Sequence, residues 1–209
     1  MGLRLYDYTL SGSCYKVRLL MNFLGLEYER VPVDFYPGRE HKTPAFLEIN
    51  ALGQLPVLED GALRLRDSQA ILCHLANTYD PSGKWLPRDS ASFGPVMMWV
   101  MFAGGEMMAA SAARLHDALG YQLDVERARA NAHVAFRILD DHLTERLLQG
   151  GRWIVGEHPT IADIACFPYT ALSGDGGIGH EDYPAIRNWL RAFRRLPRFK
   201  AAPGIPEFA

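Results

Sequence analysis

The chain changes character once, at Asp80-Pro81-Ser82-Gly83. Before that point, short apolar, aromatic and β-branched runs alternate with helical periodicity; after it, every patterned segment is helical. An alternating α/β unit followed by an all-α unit admits few architectures, because each layer must bury its apolar face against a neighbour. The 209 residues suffice for one large or two small domains with a real core. The expectation is an α/β domain over 1–80 and an all-helical domain over 90–209.

An opening strand with Leu3, Leu5, Tyr6 and Tyr8 leads to a helix whose Val17, Leu20, Met21 and Leu24 share a face and which Gly25 ends. Tyr28 to Val33 reads as a second strand, and the Pro- and Gly-containing loop Phe35 to Thr43 precedes a helical turn at Ala45-Phe46-Leu47. Gln54 to Glu59 and Leu63 to Arg66, joined by Asp60-Gly61, form a hairpin pattern. Asp67-Ser68 starts a helix with Ile71, His74, Leu75 and Thr78 on one face. The order β-α-β-α-β-β-α puts a parallel pair before an antiparallel hairpin.

Beyond Gly83, one long helix is expected from about Ser90, carrying Met97, Met98, Met101, Phe102, Met107 and Met108, and another from Val125 to Leu148. Thr160-Ile161-Ala162-Asp163 has the form of a capping box. A Gly-rich loop, Ser173 to Gly179, precedes a last pair of helical stretches around Tyr183 to Arg195. The methionine-rich face suits either core packing or a surface that accepts varied apolar shapes.

A formal net charge of −2 argues against a broad nucleic-acid surface, and the Arg187, Arg191, Arg194, Arg195, Arg198 series reads as a solvated helix stripe. No start-of-chain leader pattern and no unbroken bilayer-length apolar stretch is read, so no membrane partner is expected. The seven histidines lack metal-ligand spacing, so no metal is expected, and the glycines form no phosphate-binding loop. Three widely spaced cysteines, Cys14, Cys73 and Cys166, fit free thiols in a reducing compartment, hence the cytoplasm.

The chemistry concentrates at Ser11-Gly12-Ser13-Cys14, where a strand hands over to a helix N-terminus. Unpaired N–H groups and the positive end of the helix dipole stabilise a thiolate or other anion there, and a hydroxyl can donate to it; Ser11 and Ser13 equally serve as caps. Ser11 to Cys14 also has S-x-x-C spacing, a dithiol pattern lacking its first cysteine. Pro56 interrupts a strand and implies an edge, a bulge or a cis turn. Asp67-Ser68 caps a helix, and the same groups suit an amino-acid zwitterion: amides and hydroxyl for the carboxylate, the acid for the ammonium. His41 and Lys42 offer positive charge for a second carboxylate, or are simply solvated.

In order and spacing, Ser11-Gly12-Ser13-Cys14 before Lys16-Val17-Arg18, Gln54-Leu55-Pro56-Val57-Leu58, Asp67-Ser68-Gln69-Ala70-Ile71 and Thr160-Ile161-Ala162-Asp163 resemble the cytosolic glutathione transferases over essentially the whole chain, most closely the serine-using branch with the zeta and theta classes and many bacterial members. The resemblance implies a thioredoxin-like N-terminal domain that binds glutathione as co-substrate and a helical domain that holds a small, mostly apolar electrophile. It implies detoxifying conjugation by a cytoplasmic homodimer. Ser11 would hydrogen-bond the glutathione sulfur, with Ser13 as the next candidate; Leu55, before a cis Pro56, would pair its backbone with the cysteinyl part. Asp67 and Ser68 would hold the γ-glutamyl end, and His41, with Lys42 or Gln54, the glycyl carboxylate. Asp163 matches a structural capping acid. The alternatives are a glutathione-dependent isomerase or disulfide reductase, or a non-catalytic module. Two departures stand out: Asp67 where the branch often has Glu, and Gly12 where zeta-like members have Ser.

Overall fold

The computed structural model describes residues 2–205. Its first half runs β1 (Leu3–Asp7), α1 (Gly12–Leu24), β2 (Tyr28–Pro32), α2 (Pro44–Ile49), β3 (Val57–Asp60), β4 (Leu63–Arg66) and α3 (Ser68–Tyr79). The sheet order is β2-β1-β3-β4, with β1 parallel to β2 and antiparallel to β3. Parallel neighbours need a crossover, which α1 supplies, whereas β3 and β4 need only the turn at Gly61 (φ +61°).

Side chains alternate across β1, so Leu5 joins Val17, Leu20, Ile71 and Leu75 on one face while Tyr6 joins Val57 and Phe46 on the other. Helices α1 and α3 thus cover one side of the sheet and α2 the other, a thioredoxin-like arrangement. Gly25 (φ +70°) closes α1, its N–H bonding Asn22 O at 3.1 Å and the Leu26 N–H bonding Met21 O at 2.9 Å. Strand β3 starts after Pro56, so the proline never enters the ladder.

The second half is all helical: α4 (Ser90–Gly104), α5 (Met108–Leu119), α6 (Val125–Leu148), α7 (Ile161–Ala171) and α8 (Pro184–Arg194), plus a one-turn 3-10 helix over Ser173–Gly176. Helix α7 is buried along nearly its whole length and packs against α4, α1 and α3, joining the two halves.

Four expectations need correction. The long helix from Ser90 is two helices, because the backbone breaks at Gly105, which bonds back to Met101 O and Phe102 O. The core stripe of α3 is Ile71, Leu72, Leu75 and Ala76, where α1 and α7 pack against it; His74 is half-buried and Thr78 exposed. One helix, α8, replaces the last pair, since its Trp189 and Phe193 both enter the core. Finally, Ser90–Leu119 does contain an 18-residue stretch with the length and composition of a membrane span, at mean hydropathy 1.3. Its apolarity is that of a core helix: Val96, Trp99, Val100, Ala103, Met107, Ala110 and Ala113 are buried inside the protein.

The methionines divide as packing dictates. Met107 is core, Met97 is half-buried, Met98 and Met101 are exposed, and Met108 lines a cavity. The basic stripe is largely solvent-facing, with Arg187, Arg191, Arg195 and Arg198 exposed.

Candidate active site

A cavity of about 360 Å3 opens where the α1 and α3 N-termini meet α5 and α7. It gathers Ser11, Ser13, Gln54, Leu55, Pro56, Asp67 and Ser68 from the α/β half, all singled out in the sequence. His41 is not in its wall: the ring is buried, stacked at 4.0 Å on Phe35, which does line the cavity. Burial holds the His41 imidazole below its usual pKa, with Lys42 and Arg39 adding to the effect. Lys42 spends its ammonium on the carbonyls of Leu52 (3.2 Å) and Gly53 (2.9 Å).

Ser11 is the N-cap of α1, and its Oγ accepts from Cys14 N–H at 3.2 Å. Because that bond uses an oxygen lone pair, the hydroxyl proton is left to donate elsewhere. No acidic residue lies in the first turn of α1, so the positive end of its dipole is not neutralised from within the helix. The loop presenting Ser11 is pinned by buried Asp7, which pairs with Arg18 of α1 and Arg30 of β2. Arg18 also bonds Thr9 O at 3.0 Å, and Arg114 from α5 bonds Leu10 O at 3.0 Å. Arg18 belongs to the motif in the sequence, but its partner Asp7, a lone acid ending an apolar strand, was its unread signal.

Cys14 is fully buried, and burial pushes its thiol pKa up to about 12. A thiol so reluctant to ionise is a packing group, which removes the protein-thiol route suggested by the S-x-x-C spacing.

The Leu55–Pro56 bond is cis, as is Tyr36–Pro37 in the loop before α2. Asp67 caps α3 at φ +74°, its Oδ1 accepting from Gln69 N–H (2.9 Å) and Ala70 N–H (3.1 Å). Both bonds use one oxygen and Asp67 is exposed, so its charge stays open to a ligand. The Gln69 amide satisfies both its ends when its nitrogen donates to Ser68 Oγ (2.6 Å) and Asp67 Oδ1 (3.2 Å) and its oxygen accepts from Gly104 N–H (3.0 Å). A Cβ on Gly104 would sit 2.7 Å from that amide, so glycine there lets α4 touch the α3 cap.

The far wall was not read from the sequence. Helix α5 lends Met108, Ser111, Arg114, Leu115 and Leu119, and α7 lends Tyr169. These α5 positions recur at helical spacing, but so does its buried stripe of Ala110 and Ala113, and periodicity alone does not say which stripe meets a core and which a cavity. The site thus combines an anion-favouring helix start, a free hydroxyl proton, an exposed acid beside a second helix start, and an apolar wall.

Comparison with known proteins gives a consistent relationship. The family model for the glutathione S-transferase N-terminal domain matches residues 1–77, and that for the C-terminal domain matches 122–192. A zeta-class glutathione S-transferase of Euphorbia esula is 30% identical over 209 residues, covering 96% of this chain and 89% of the relative. The crystal structure of a glutathione S-transferase from Pseudomonas fluorescens superposes with a TM-score of 0.86 at 30% identity, covering 96% of this chain and 98% of that one. Ure2p in complex with glutathione superposes with a TM-score of 0.84 at 25% identity, over 94% and 90% of the two chains.

Proposed function

The chain belongs to the glutathione transferase family, and we propose that it joins the glutathione thiolate to small apolar electrophiles in the cavity where its two halves meet. It is a transferase with glutathione as co-substrate. In this reading residues 1–80 hold glutathione and 90–209 present the electrophile. The observation that supports the assignment is the Ser11 hydroxyl: it lines the cavity, and its oxygen accepts Cys14 N–H at 3.2 Å, which leaves its proton available to a ligand there.

Glutathione supplies a thiol that loses its proton to water; the sulfur pair then forms the bond to carbon as the leaving group departs with its own pair. Ser11 donates to the sulfur, and the α1 amides favour the negative charge. Asp67 takes the ligand ammonium, while Ser68 and the start of α3 take its carboxylate. Leu55 offers its backbone to the cysteinyl part, and Gln54 faces the glycyl end, while the buried His41 ring only backs Phe35. Met108, Leu115 and Leu119 form the electrophile wall. Retention on immobilised glutathione together with turnover of an aryl halide tests the assignment; retention without turnover of any electrophile leaves only a binding module.

Asp67→Asn removes the charge but keeps an oxygen for the two amides that cap α3, and Asn tolerates positive φ. Glutathione affinity is expected to fall about tenfold, roughly 1.4 kcal/mol, with melting temperature nearly constant. Calorimetric titration checks this, and added salt should weaken the parent more than the variant. Unchanged affinity with lowered stability makes Asp67 a cap alone.

We further read the protein as a cytoplasmic homodimer. Three free thiols suit a reducing compartment. Met98 (59% exposed), Met101 (54%), Val134 (61%) and Ile138 (46%) give α4 and α6 an apolar outer surface of the kind a partner covers. Sedimentation should give the mass of two chains for the parent and one for a Met101→Glu, Val134→Glu double variant. A monomeric parent overturns this reading.

A further inference from the structure

The geometry points to a second hydroxyl donor for the glutathione sulfur, Tyr169 from the helical half, held against the α1 N-terminus and backed by the buried ammonium of Lys16. This rests on the glutathione transferase reading and adds to Ser11 a catalytic residue from the other half of the molecule.

Tyr169 OH lies 2.9 Å from Ser13 Oγ, and both residues line the cavity beside Ser11. The ring reaches there because position 12 has no side chain: a Cβ on Gly12 would come within 2.7 Å of Tyr169 Cε1. The missing side chain at Gly12, a departure from the zeta-like pattern, thereby acquires a use. It lets a phenol lie directly on the first turn of the helix.

Lys16 is the second observation. It is wholly buried, and its Nζ has no hydrogen-bond partner among the described residues. That Nζ sits 4.7 Å from the centroid of the Tyr169 ring. An ammonium without a hydrogen bond in the protein interior is costly, and a π-face compensates only part of the cost. Such a group is explained by a negative charge that arises nearby during the reaction. Cys166 and Tyr169 face it from α7, and Asp67 from the start of α3. Burial lowers its pKa to about 8, so it still carries its charge over most of the neutral range.

Ser13 and Tyr169 can each donate or accept. When the thiol proton leaves to water, Ser13 donates to the Tyr169 oxygen and Tyr169 donates to the sulfur. The Lys16 charge, on the face of the same ring, makes the phenol a better donor and favours the negative charge that forms beyond it. No covalent bond changes in this step beyond loss of the thiol proton.

Tyr169→Phe keeps the ring on Gly12 and removes only the hydroxyl; Lys16→Met keeps the buried volume and removes only the charge. The readout is the ultraviolet absorbance of bound thiolate against pH, alongside glutathione affinity by calorimetry and the pH profile of conjugation. Both variants are expected to hold parental affinity within about twofold while the thiolate titration moves up by about one pH unit, making conjugation about threefold slower near pH 7 and close to tenfold slower below about pH 6. Lys16→Met should melt at or above the parental temperature, since a buried charge is replaced by an apolar group. A Tyr169→Phe variant that titrates with the parent overturns the inference. A shifted Tyr169→Phe beside an unmoved Lys16→Met removes Lys16 from it. A parent that fails to bind glutathione overturns the underlying assignment instead, which separates the two failures.

Discussion

Ser11→Ala is expected to slow conjugation at neutral pH by about 3- to 25-fold while leaving glutathione bound. A free thiol of pKa ~8.5 is mostly protonated at pH 7, and lowering it by ~2 units takes roughly 2.7 kcal/mol of preferential stabilisation of the anion. A charge-assisted hydrogen bond and a helix N-terminus together are of that size. Removing the hydroxyl takes away the first and leaves the second, so the deficit should shrink as pH rises toward that of the free thiol. The same hydroxyl accepts Cys14 N–H at 3.2 Å, so the variant also loses a cap. That costs about 1 kcal/mol of stability. The pH profile separates the two effects, because a cap alone changes melting temperature without changing how rate depends on pH. Ser11→Thr keeps hydroxyl and cap and should recover most of the rate. A parental profile in Ser11→Ala would hand the role to Ser13 and Tyr169.

The largest stability effect is expected at Asp163. Its fully buried carboxylate accepts from Thr160 N–H (2.9 Å), Ile154 N–H (3.1 Å) and Trp189 Nε1–H (2.9 Å), tying the loop before α7 to α8. Asp163→Ala strands three buried donors at once. At about 1–3 kcal/mol for each group left without an acceptor, a total loss of about 3–5 kcal/mol follows, a large share of a typical domain's stability. Urea unfolding followed by the fluorescence of the four tryptophans measures it, and the folded fraction should bind glutathione normally.

Burial pushes the Asp163 carboxyl up to about 6, against the pull of its three donors. The sign follows from which state holds the proton. With the folded pKa above the usual 3.8, the folded protein keeps a proton that the unfolded chain has already lost between about pH 4 and 6. Stability from this group is therefore full below pH 4 and falls as pH rises to about 6. Asp163→Asn, with no proton to lose, should lack that slope; equal slopes would place the Asp163 pKa near its ordinary value.

Most of the α/β half was legible because its signals are local. Gly25 and Gly61 carry the positive φ that closes a helix and a hairpin, and the two faces of β1 follow from side-chain alternation. The serine at the start of α1, Pro56 and Asp67-Ser68 were likewise visible as residue types at fixed places in that order. The helical half was legible only as helices: whether Ser90 to Leu119 runs unbroken depends on how Gly105 folds back on Met101 and Phe102, and no periodicity encodes that.

By itself, then, the sequence determined the strands and helices of the first half, where the architecture switches to helices, and which hydroxyl and acid stand at the two helix starts. Only the tertiary structure decided what faces them. His41 went behind Phe35 instead of into the cavity wall, α5 turned Met108 and Leu115 toward the site and Ala110 and Ala113 away, and Tyr169 crossed from α7 to Ser13, a separation of 156 residues. Caps and turns are settled by neighbours in the chain. Which stripe of a helix meets a core, a cavity or a second element is settled by packing between segments far apart in sequence, and an amphipathic period reads the same in all three cases.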